Sequence, residues 1–278
     1  MNTLAFADRA SYLNLRTSPG LKQRHQLWYQ IAVAMAVVFV LCAGMAIVDD
    51  RTLLGVSVWN KPAKFSASIA VYFATLAWFA PLLPLHYFRS RRGRALAWIP
   101  VVCAVLEMLY IVVQAARGEM SHFNRSTPFN AMMYSLMGGG AVLMVVAALA
   151  MGVEILRTHR LSNPFALAVA LGLIGTFVLG GGFGGYLGSS ASGHWVGGSA
   201  TDANGLVGFN WSRDGGDLRV AHFFGMHAMQ ALPLAAALLP EKLATSTANS
   251  MIAVFFGLYA ALSTWTFIQA IHGQPFLG

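Results

Sequence analysis

The sequence predicts an all-α membrane protein, a bundle of about seven transmembrane helices with its N-terminus in the cytoplasm and its C-terminus outside. Seven apolar stretches are long enough to cross a bilayer core, which takes about 20 residues of helix. Charged residues make up only 10% of the chain against 57% hydrophobic ones, whereas soluble domains carry roughly 25% charge. Lysine and arginine also distribute unevenly between alternate connections, as membrane topology requires.

The apolar stretches fall at about 27–48, 65–88, 95–116, 128–153, 163–188, 218–239 and 249–271. Residues 1–26 form a polar cytoplasmic segment without a cleavable signal, and 27–278 form one transmembrane domain. With the N-terminus inside, eleven Lys and Arg fall on the inner side and seven on the outer. The run Arg89, Arg91, Arg92 and Arg94 dominates that bias. The expected location is a bacterial inner membrane. Most connections are short; the exception is the outer loop 189–217, rich in Gly, Ser, Asn and Asp. A loop of that length is expected to be a functional lid or simply mobile.

The net charge of +8 resides in short loops beside spans, which reads as topology and not as a nucleic-acid groove. Cys42 and Cys103 both lie in spans, so neither a disulfide framework nor a thiolate zinc site is expected. Gly138, Gly139 and Gly140 run together, and Gly180, Gly184 and Gly188 recur every fourth residue. Such faces suit close helix packing, within a protomer or in a homo-oligomer. A flat ring, haem or quinone, lying against them is the alternative.

At 100° per residue, polar side chains gather into stripes. Glu107, Tyr110, Gln114 and Arg117 share one face of the third span. Lys64, Ser68, Tyr72 and Thr75 do so on the second, Arg219, His222, His227 and Gln230 on the sixth, and Tyr259, Ser263 and Thr266 more weakly on the seventh. Facing lipid would be costly, so the stripes are expected to enclose a polar cavity open to the outside.

Imidazole is the commonest metal ligand and a haem axial ligand. His122, His222 and His227 are therefore the candidate ligands of a haem or transition metal in a redox protein. Arg117, Arg219, Lys61 and Lys64 would neutralise propionates or an anionic substrate. Glu107 and Gln114 would line a proton or quinone path, with Gln230 beside the histidines. His25, His86, His159, His194 and His272 are set aside as cytoplasmic, loop or helix-end residues. A metal-dependent hydrolase acting on lipid is a second reading, with Glu119 or Asp217 as acid–base group. A transporter or receptor for a small anion is a third.

The segments VSVWNKPAKF, QAARGEMSHFNRSTPFNAMMYSLMG and DLRVAHFFGMHAMQ resemble those of a bacterial family of multi-pass membrane proteins without an assigned activity. That resemblance implies a single membrane domain and no particular chemistry. Microbial rhodopsins share the span count, but the last span, MIAVFFGLYAALSTWTFIQAI, has no lysine for a Schiff base. Seven-span lipid amidases carry a helical HxxxH pair, whereas His222 and His227 are five apart.

Overall fold

The computed structural model describes residues 26–84 and 87–277, so the 1–26 segment (all but its last residue), His25 and His86 lie outside the described residues. Among the described residues nine α-helices follow one another: α1 Gln26–Val48, α2 Asn60–Phe79, α3 Arg91–Arg117, α4 Pro128–His159, α5 Pro164–Gly175, α6 Gly182–Ser189, α7 Leu218–Met226, α8 Ala228–Ala237 and α9 Thr245–Ile271. A π-helical segment, Thr176–Gly181, joins α5 to α6 into one length. Two short antiparallel pairs lie in the connections, β1 Thr52–Leu53 with β2 Val56–Ser57, and β3 Trp195–Val196 with β4 Gly216–Asp217.

Among the described residues, six helical lengths are long and apolar enough to cross a membrane: Gln26–Val48, Asn60–Leu82, Arg91–Arg117, Pro128–His159, Pro164–Ser189 and Thr245–Ile271. The sixth expected span, 218–239, is instead two short helices abutting at His227. The second span begins at Asn60, five residues before the expected start, because Lys61 and Lys64 dilute the hydropathy of a turn that is nonetheless helical.

The helix ends follow the local chemistry. Thr127 accepts from the Asn130 N–H ahead of Pro128, and Asn163 accepts from the Ala166 N–H ahead of Pro164. Both place a capping oxygen before a proline whose missing N–H would be unpaired anyway. Ser90 caps α3 through the Gly93 N–H. Arg91, Arg92 and Arg94 crowd that same first turn and are exposed, although cations are disfavoured by a helix N-terminus.

Packing runs α1 on α2, α3 on α4, α4 on α5, α5 on α8, and α7 on both the π segment and α9. Phe73, Leu76, Ile111, Met151, Leu173 and Leu232 fill the centre. The periphery is equally apolar: Val40, Ile47, Leu106, Leu136, Leu258 and Trp265 are each more than half exposed. A bundle apolar inside and out belongs in lipid.

Candidate functional site

The polar residues concentrate at the end of the bundle bearing the connections 49–59, 118–127 and 190–217, here the loop face. Gly118, in the left-handed region at φ 74°, closes α3 and turns the chain into the 118–127 connection. That connection is tied down by a chain of bonds. Gln114 and Asn124 donate to the Met120 carbonyl at 3.1 and 2.9 Å, Ser126 donates to Asn124 at 2.7 Å, and Asn130 donates to Ser126 at 3.0 Å. Tyr110 from α3 donates to Asn130 at 3.2 Å. Gln114 thus supports the loop.

The result is that His122 is folded inward over Glu107. His122 Nε2 stands 3.6 Å from Glu107 Oε1, just outside hydrogen-bond distance. The imidazole packs at 5.0 Å from the Phe65 ring. Burial first, and the Lys61 charge second, hold His122 well below the usual imidazole range, so it is neutral at pH 7. Lys61 lies on the first turn of α2, with its ammonium 5.8 Å from the centre of the Phe65 ring and within electrostatic range of Glu107, Arg219 and Asp202. Among the described residues its ammonium makes neither a hydrogen bond nor an ion pair.

The 190–217 connection is tied to the bundle by a network of bonds and forms a cap over it. Asp217 is buried, accepts from the backbone N–H of Ser212 and Arg219, and pairs with the Arg219 guanidinium at 2.7 Å. Arg219 also reaches Asp202 at 2.9 Å and the Asn210 carbonyl at 2.6 Å. His194 donates to Asp202 at 3.3 Å. Burial would raise the Asp202 carboxyl, but the His194 bond and the Arg219 charge outweigh it, leaving the group below its usual range. Burial lowers His194 despite that bond. On the far side, the Leu54 carbonyl accepts from Thr201 Oγ1 at 3.0 Å and the Asp202 N–H at 2.9 Å. Lys64 donates to the Phe209 carbonyl at 2.7 Å and to Asn210, which also takes Asn60 at 2.7 Å.

Below this cap the broken helix meets the π segment. Thr176 Oγ1 donates to the Met226 carbonyl at 3.2 Å and accepts the Met229 N–H at 3.1 Å, bridging backbone groups freed at the break. His222 Nδ1 lies 2.9 Å from the Gly180 carbonyl. A carbonyl only accepts, so Nδ1 carries the proton and Nε2 the lone pair. His227 Nδ1 faces Gln230 Oε1 at 3.2 Å, and Gln230 donates to Thr75 at 2.9 Å.

Much of what the stripes supply is interhelical bonding, not a cavity lining. Tyr72 donates to the Met144 carbonyl and Tyr259 to the Phe224 carbonyl, while Ser68 is exposed. Arg117 and Glu119 pair with each other at the surface at 2.8 Å. The glycine face of α5–α6 is filled by α7: a Cβ on Gly184 would stand 2.7 Å from the His222 ring, and one on Gly180 2.9 Å from the Met226 nitrogen. That removes the space for a flat ring there. His122, His222 and His227 bond to separate partners, and among the described residues no three His, Cys, Asp or Glu side chains form a set that could hold a metal ion.

Sequence reasoning missed His194 and Asp202, which sit in a stretch whose Gly and Ser content reads as slack. The signal available was the acid–base pairing of Asp202, Asp217 and Arg219 across one loop. No family model, curated protein or solved structure matches the chain.

Proposed function

We propose that this is a multi-pass carrier of a bacterial cytoplasmic membrane, N-terminus inside, taking a small anionic solute beneath the 190–217 cap from the outer side. The observation that carries the reading is Lys61, an ammonium without a hydrogen-bond or ion-pair partner among the described residues, beside the Glu107–His122 pair. Burying a charge without a partner is costly, which points to a ligand or a charge-transfer step. Lys61 is the anion's counter-charge in this reading. Glu107 and the neutral His122 are placed to exchange one proton as the anion arrives. The break at His227 opposite the π segment supports it, since interrupted helices are a recurring feature of substrate paths through bundles.

Proteoliposomes holding the purified protein test this reading. Saturable uptake of small labelled carboxylates or phosphate is expected, accompanied by a pH change reported by an entrapped dye. Lys61→Gln is expected to abolish uptake, and Glu107→Gln to uncouple it from the proton. Uptake by Lys61→Gln at the wild-type rate would overturn the assignment.

A second reading, a histidine-held redox group, draws on one observation: the Nδ1 atoms of His222 and His227 both face carbonyl-type acceptors, which leaves Nε2 as the ligating atom. A visible spectrum of the purified protein, oxidised and dithionite-reduced, decides it. Bands that vanish in His227→Ala establish that reading; a spectrum without them leaves the carrier.

A further inference from the structure

A second polar feature at the loop face lies outside the Lys61 site, on the seam between α1 and α2. A groove of about 360 Å³ runs there. Its wall on α1 is Phe39, Ala43 and Ala46, and its rim is Ser57, Asn60 and Lys64. Among the described residues no acidic side chain lines it. The small side chains of Ala43 and Ala46 leave the slot open, and Val40 and Ile47, exposed at 65% and 83%, flank it on the same helix.

The rim is a set of donors with hydrogens to spare. Lys64 has three, and two go to the Phe209 carbonyl and Asn210. Asn60 has two, and one goes to Asn210. Among the described residues Ser57 only accepts, from the Trp59 N–H, which leaves its hydroxyl hydrogen uncommitted there. Depth fixes the kind of ligand. Lys64 is four residues into its span and Ala46 two residues from the end of its own, within about 6 Å of the helix ends at 1.5 Å per residue. That is the boundary between headgroups and hydrocarbon, where a positive rim over an apolar slot matches a phosphate above an acyl chain.

We infer that the α1–α2 groove binds one anionic glycerophospholipid of the bilayer, its phosphate on Lys64, Asn60 and Ser57 and a chain along Phe39, Ala43 and Ala46. The inference is independent of the carrier reading.

Native mass spectrometry of protein released from nanodiscs of equimolar phosphatidylglycerol and phosphatidylcholine tests it. The wild type is expected to retain one phosphatidylglycerol, favoured at least tenfold over phosphatidylcholine. Lys64→Gln is expected to lose that preference and Ala43→Trp, which fills the slot but keeps Lys64, to lose the bound lipid. Lys242→Gln, exposed on the opposite face, serves as the unaffected control. Equal retention of both lipids overturns the inference, as does wild-type retention by Ala43→Trp. Displacement of the lipid by soluble glycerol phosphate at millimolar concentration also overturns it, because the site would then belong to a free anion.

Discussion

Gly225 on α7 lies so close to Gly180 in the π segment that a Cβ on Gly225 would stand 2.4 Å from the Gly180 nitrogen. The contact is backbone against backbone, so no side-chain rotation relieves it. Close approach at this point brings the break at His227 within reach of Thr176 and lets the Gly180 carbonyl meet His222. Packing, not propensity, sets the broken helix.

Gly225→Ala is therefore expected to destabilise the protein by about 1–3 kcal/mol, the usual cost of overpacking. Gly257→Ala, where a Cβ meets nothing within 4 Å, is expected to be neutral. Thermal unfolding in detergent compares the two.

Thr176→Val keeps the shape of the side chain and removes both hydrogen bonds across the break. The Met226 carbonyl and Met229 N–H are then left without that partner, at about 1–3 kcal/mol. Thr176→Ser restores the hydroxyl and should recover most of the loss. Equal unfolding temperatures for the Val variant and the wild type would show that the bridge contributes nothing.

Two arginine–acid pairs of the loop face, Arg219–Asp217 and Arg117–Glu119, should behave differently. Asp217→Asn weakens a buried group that also binds two backbone N–H groups, and a broken buried pair costs roughly 3–5 kcal/mol. Glu119→Gln touches an exposed pair with Arg117 and is expected to cost less than about 1 kcal/mol. Limited proteolysis between residues 197 and 210 reads out release of the cap directly: faster cleavage is expected for Asp217→Asn and Asp202→Asn only.

Acidification should loosen the same face. His122 and His194 both have lowered folded values, so the unfolded chain takes up protons near pH 6.5 while the folded protein stays neutral. The folded state then binds fewer protons, and stability is complete above about pH 6.5 and declines as the pH falls below it. Asp202, also lowered, adds a further loss below about pH 3.9. Unfolding temperatures measured from pH 8 to pH 5 should fall, and His194→Gln should reduce the slope. A flat profile would contradict the burial of these imidazoles.

The long spans were legible because lipid imposes a length and a composition that hydropathy alone registers. Glu107 was legible as part of a polar face and His122 as a histidine of the loop that follows, but not as neighbours of each other. Their 3.6 Å approach depends on the bonds from Gln114, Asn124 and Asn130 that fold the loop inward. The 218–239 stretch shows the limit of composition. It is apolar enough to span, yet Gly225 and Pro233 only hint at a break whose cause is a neighbour some 45 residues earlier. His194 and Asp202 were unreadable for the same reason, since what fixes them is Arg219 and the Leu54 carbonyl, not their flanking glycines.

The Leu54 carbonyl and Thr201 are 147 residues apart, which gives the cap a place in time as well as in space. At roughly 5–20 residues per second of synthesis, Thr201 leaves the ribosome roughly 7–30 s after Leu54. During that interval α1 and α2 can insert and pair, but Asn60 and Lys64 lack Asn210, and headgroups or water must serve them meanwhile. The cap over the loop face therefore closes late, only once Arg219 has emerged to meet Asp202 and Asp217.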